Sequence, residues 1–205
     1  MKSFNLSLIN LNNRPYLHGT SIVKGVLDAI WSEYPTIQNF EIRLKAKLAT
    51  QPLMIISENL EVVDGVVAVG KFQYNNTQLY FYLLPTEKNC TEKLIIDELS
   101  LGSRLYETDT EWCMDIITSD DIHICLNEVS KISNQDLFAI QPGITMEKGK
   151  QTWFVGYKLT SLDFLNSPCS VIGISKKYKM LTANCMERYI SINGNSVGSR
   201  TCIYA

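Results

Sequence analysis

Residues 18–35 read HGTSIVKGVLDAIWSEYP, and their spacing decides how the rest of the chain is read. Ile22, Val23, Val26, Leu27, Ile30, Trp31 and Tyr34 recur at three- and four-residue intervals, which places them on one broad helix face. Thr20 or Ser21 is a suitable N-cap, and Pro35 ends the helix. On both sides of this helix the period changes to two. Upstream, Phe4, Leu6 and Leu8 alternate with Ser3, Asn5 and Ser7, a strand signal, and a polar loop runs from Asn10 to Gly19. Downstream, Phe40, Ile42, Leu44, Ala46 and Leu48 share one face while Glu41, Arg43, Lys45 and Lys47 share the other. That is a strand with one buried and one wet face. PLMIISENLEVV (52–63) and GVVAVGKFQY (65–74) follow as strands, with a hairpin turn expected at Asp64-Gly65. Asn75-Asn76 makes a second such turn before TQLYFYLLP (77–85).

The pattern then restarts. Residues 87–108 read as a linker with a short helix around Leu94 to Leu99. EWCMDIIT (111–118) resembles an opening strand, and Ile122 to Ile140 carries a weaker helical pattern through Leu126, Val129, Ile132 and Leu137. TWFVGYKLTSLDF (152–164), SVIGISKKY (170–178), MLTANCMERYISI (180–192) and SVGSRTCIY (196–204) read as strands, with Asn193-Gly194 as a hairpin turn. Pro52 and Pro168, each followed by such a turn, mark a duplication with an offset near 116 residues. The expected organisation is a first domain over 1–86, a linker over 87–108 and a second domain over 109–205.

Composition narrows the class. With 45% hydrophobic and 20% charged residues over 205 positions, the chain is globular, not disordered or fibrous. Lys and Arg number 19 against 21 Asp and Glu, so no basic field recruits nucleic acid. No apolar stretch approaches the roughly 18 residues of a membrane span, and no secretory signal is readable, so a cytoplasmic protein is expected. The six cysteines form no C-x-x-C pair and the two histidines do not cluster, which offers no zinc cage. Buried thiols are expected in preference to disulfides, and no cofactor is implied.

A strand, one long apolar helix and a run of antiparallel strands resemble the hotdog fold, in which a curved sheet wraps the helix. Two copies imply an α+β double hotdog with its sheets paired edge to edge, as a monomeric pseudo-dimer or a homodimer. The helix start sharpens the likeness. In 3-hydroxyacyl-carrier-protein dehydratases it reads H-F-P-G-x-P-V-x-P-G-V-L, and a related hydratase form reads G-x-P-I-x-x-G-M-L. Gly19-Thr20-Ser21-Ile22-Val23-Lys24-Gly25-Val26-Leu27 is similar in its glycine spacing and its Val-Leu. The family's histidine position holds Tyr16 here and its acid position holds Ile30, while His18 and Asp28 each lie two residues away. Two residues turn a helical side chain through roughly 200°, so the dehydratase pair is not present in its standard form. The second half resembles the thioesterase branch in residue types, through Asp120, Asp121, His123, Asn127 and Glu128, without that family's glycine.

The resemblance implies an acyl thioester on an acyl carrier protein or coenzyme A, processed by dehydration, hydration or hydrolysis. Backbone N–H groups at the helix start, near Gly19 and Gly25, are the implied carbonyl site. His18 is the candidate base, Tyr16 a hydrogen-bond donor and Asp28 a carboxylate for proton transfer. Each has a plainer reading. Gly25 lets a strand cross the helix, His18 is polar surface, Tyr16 packs beside Pro15, and Asp28 is a solvated helix carboxylate. The basic residues Arg43, Lys45 and Lys47, and Lys176, Lys177 and Lys179, suit an acidic carrier or coenzyme A phosphates, or else form an ordinary wet face. Two alternatives stand beside the enzyme: a non-catalytic acyl-binding or assembly protein, and one hotdog half fused to an unrelated β-rich half.

Overall fold

The structure, a computed structural model, describes residues 1–12, 15–117, 120–130, 152–160, 162 and 168–204. It is mostly antiparallel strand with few helices. Two units divide the chain: Met1–Ile96 with Gly156–Ser161, and Asp97–Val155 with Leu162–Ala205.

The first unit contains β1 (Lys2–Asn5), β2 (Asn10–Leu11), α1 (Gly19–Glu33), β3 (Ile37–Leu44), β4 (Thr50–Ser57), β5 (Ala68–Tyr74), β6 (Thr77–Asn89) and β7 (Lys93–Leu94). Its main strands are antiparallel in the order β1-β4-β6-β5-β3, and Gly156–Leu159 pairs antiparallel with Phe40–Arg43 of β3. Asn75 and Asn76, with φ of 47° and 63°, make the tight β5–β6 turn that the sequence predicts. Asp64-Gly65 does not join neighbouring strands, because β6 lies between β4 and β5. Leu79, Phe81, Tyr82 and Leu83 are buried on β6. Residues 58–67 cross between β4 and β5 as a loop, pinned where the Glu61 N–H donates to the Tyr82 hydroxyl at 2.5 Å.

The core joins the helix stripe to the sheet. Val23, Val26, Leu27 and Ile30 are wholly buried on α1, as are Phe72 and Phe81 on the sheet. Phe40 and Phe81 stack with centroids 5.7 Å apart, and Tyr34 at the end of α1 meets Phe72 edge-on at 5.3 Å. The strand after the helix is shorter than its alternation suggests, ending at Leu44. Leu48 stays buried beyond it, and its carbonyl accepts the Leu17 N–H at 2.7 Å.

The second unit contains α2 (Glu98–Gly102), β8 (Leu105–Glu107), β9 (Glu111–Asp115), a helix α3 whose described part is 122–130, the first half of β10 (Thr152–Leu159), β11 (Val171–Thr182), β12 (Cys185–Ile192) and β13 (Asn195–Tyr204). Its strands run antiparallel in the order β8-β9-β11-β12-β13. The two halves therefore share an element sequence but not a strand order. In the first, the last strand inserts between the two before it; in the second, the last three form a meander. Asn193 and Gly194, with φ of 50° and 77°, close the β12–β13 hairpin as expected. The short linker helix starts later than the sequence pattern suggests, because Asp97 caps it by accepting the Ser100 N–H at 3.1 Å. Ile132 and Leu137, expected on the second long helix, lie outside the described residues. Among the described residues no helix is long and apolar enough to cross a membrane.

Candidate functional site

His18 is the N-cap of α1, in extended backbone conformation, where Thr20 or Ser21 was expected. Its Nδ1 accepts the Thr20 N–H at 3.4 Å and lies 2.8 Å from Thr20 Oγ1, with Thr20 buried. The imidazole thus does the work usually given to Ser or Asp. Of the first-turn N–H groups, Thr20 is bonded to the His18 ring and Ile22 to the His18 carbonyl. The N–H groups of Gly19 and Ser21 also lie in the first turn, where an α-helix supplies no acceptor of its own. The tautomer follows from the contact that dominates. If Nδ1 accepts, Nε2 carries the proton and is a donor; if Nδ1–H donates to Thr20 Oγ1, Nε2 is the base.

The other expected residues are placed less favourably. A Cβ added to Gly25 would lie 2.0 Å from Leu8 Cδ2, so the glycine marks where the chain after β1 crosses α1. Gln51 straps that crossing, accepting from the Leu8 N–H at 2.6 Å and donating to the Leu8 carbonyl at 2.8 Å. Tyr16 is half-buried, with Lys47 Nζ 5.6 Å from its ring centroid. Asp28 is exposed and pairs with Lys24 at 2.7 Å, one helical turn before it. The structure therefore brings His18, Gly19 and Thr20 together and leaves Asp28 on the solvent side.

The second unit holds a different set of polar groups at the start of α3. Asp121 caps it, accepting from the N–H groups of His123 at 2.9 Å and Ile124 at 3.3 Å. Asp120 takes a two-pronged grip from Arg104, at 2.5 and 3.2 Å, and accepts the Ile117 N–H at 2.8 Å. Burial would raise the Asp120 pKa, but these hydrogen bonds and the Arg104 charge together bring it below the ordinary carboxylate value. These two aspartates shape the loop and the helix start. Further along α3, His123 and Glu128 are buried, and Asn127 donates to Glu128 Oε1 at 3.0 Å. Burial, the largest cause, pushes the Cys125 thiol up to about 12, which suits packing and not nucleophilic attack.

Glu128 is withdrawn from water, whereas Asp28 is exposed. A signal was present, since Glu128 follows Cys125 by three residues and precedes Val129, placing it beside the apolar stripe of its helix.

No family model and no curated protein matches the chain. Among solved structures it is similar to a tesB protein of Mycobacterium avium subsp. paratuberculosis, at 10% identity and TM-score 0.48, covering 97% of this chain and 91% of that one. It is also similar to a monomeric dehydratase domain from a trans AT polyketide synthase split module, at 11% identity and TM-score 0.47, covering 98% and 95%. A protein with a hot dog fold from Alicyclobacillus acidocaldarius aligns at 8% identity and TM-score 0.43, covering 94% and 88%.

Proposed function

We propose that the chain is a double hotdog protein that binds an acyl thioester, carried by an acyl carrier protein or coenzyme A, and acts on it by dehydration, hydration or hydrolysis. The observation that carries this reading is the start of α1, capped by the His18 ring, where the first-turn N–H groups of Gly19 and Ser21 have no acceptor within the helix. The strand order β1-β4-β6-β5-β3 and a helix with a wholly buried stripe support one hotdog unit.

In this reading the thioester oxygen accepts from Gly19 and Ser21, at the positive end of the helix dipole, where charge develops in the transition state. His18 moves the proton through Nε2, with the ring fixed by the contacts of Nδ1 with Thr20. Tyr16 is the second donor. Gly25 belongs to packing, since Leu8 occupies the space beside it. Asp28 has no place in the proton transfer, being paired with Lys24 in solvent. The buried Glu128, held by Asn127, is the carboxylate proposed for the second unit. No disulfide links the six cysteines, which supports a reducing compartment such as the cytoplasm.

A non-catalytic acyl-binding role is the second reading, favoured by the Leu8 side chain packed against Gly25. The experiment is a panel of 3-hydroxyacyl, enoyl and saturated thioesters. Asn keeps a capping oxygen but no base, so His18→Asn should lower kcat by roughly 10²–10⁴ while α1 stays capped. A wild-type protein that binds an acyl chain and turns over nothing establishes the second reading. Turnover that survives His18→Asn moves the chemistry away from α1, with Glu128→Gln as the next variant.

A further inference from the structure

Arg188 on β12 and Arg200 on β13 are direct register partners, 2% and 6% exposed. Their guanidinium groups reach away from one another, Arg188 toward β11 and Arg200 toward Phe154, and each, withdrawn from water, needs acceptors. Those of Arg188 are visible. Its Nη1 donates to the carbonyls of Ser175 at 2.7 Å and Lys176 at 2.9 Å, where β11 bulges between Ile174 and Tyr178. It also lies 4.8 Å over the Trp112 ring and 5.3 Å over Tyr178. Arg188 thus closes a bulge in the sheet.

Arg200 has no such task. Its Nη2 donates to Cys202 Sγ at 2.7 Å, a weak acceptor, and its guanidinium carbon lies 5.9 Å from the Phe154 centroid. Nε and Nη1 are buried with no hydrogen-bond partner among the described residues. The neighbours Met186 and Cys202 are apolar and buried, which strengthens the pull on any anion that arrives.

We propose that Arg200 binds a small oxyanion, a carboxylate or a phosphate, inside the second unit, with Arg188 adding its charge from the facing strand position. The planar donors of a guanidinium match the oxygens of both groups. The site goes beyond the thioester reading and stands without it. The test titrates the wild-type protein with inorganic phosphate and, separately, with propionate at fixed ionic strength, following the arginine Nε–H resonances. One or both should shift a buried resonance to saturation, phosphate alone marking a phosphorylated ligand and propionate alone a carboxylate. In Arg200→Lys the affinity should fall about 10–100-fold, the worth of a hydrogen bond to a charged group. No saturable shift with either anion overturns the proposal, as does equal affinity in Arg200→Lys. Should that variant not fold, wild-type crystals grown in the anion decide: density within hydrogen-bond distance of Arg200 Nε or Nη1 supports the site, and its absence there overturns it.

Discussion

At the scale of single residues, ionisation and burial separate the groups that can act from those that hold the structure. Asp120 has a folded pKa below its unfolded one, through burial outweighed by the Arg104 and Ile117 hydrogen bonds. Its stabilisation is therefore complete above the unfolded value, about 3.9, and is lost as pH falls through the folded value. Asp120→Asn should flatten the acid limb of a stability–pH profile followed by thermal melts, and an unchanged limb would show the pair to be idle. Cys125, with its thiol pushed up to about 12, should resist thiol reagents in the native protein at pH 8. Rapid labelling of that site, read by mass spectrometry, would contradict its burial. His18 and Asp28 show what was legible here. Residue type pointed to both, and the sequence placed His18 at the helix start. It could not show that the imidazole itself caps the helix, or that Lys24 holds Asp28 in solvent, because both depend on side-chain direction.

At the scale of elements, α1 was the most legible part of the chain, since three- and four-residue spacing dictates which side chains face inward. Ile30 is wholly buried, so Ile30→Ala should cost roughly 2–5 kcal/mol in denaturant melts. A change near zero would mean that this stripe is not core. Gly25→Ala should cost about 1–3 kcal/mol, because the added methyl meets Leu8. Combined with Leu8→Ala, which opens that space, the two costs should be less than additive. Full additivity would remove Leu8 as the reason for the glycine. Hairpins with Asn-Asn and Asn-Gly were readable because positive φ selects those residues. Asp64-Gly65 misled, since Gly65 has a positive φ within a crossing loop and not in a hairpin.

At the scale of the whole molecule, alternation foretold strands but not their neighbours. A period of two fixes which face is buried and says nothing of which edge is paired. That is why the insertion of β6 between β4 and β5, and the pairing of β11 with β9, emerge only in the fold. The buried arginine pair was hidden for the same reason, because Arg188 and Arg200 meet through register. The central claim, that the chain accommodates an acyl thioester at the start of α1, is tested most directly by a binding titration. The ligand is a non-hydrolysable thioether analogue of an acyl thioester, observed by amide NMR with the unacylated carrier as control. Saturable binding of the acylated form should move the Gly19 and Ser21 amide resonances, with no such shift from the control. No saturable binding, or binding that leaves both amides unmoved, would contradict it.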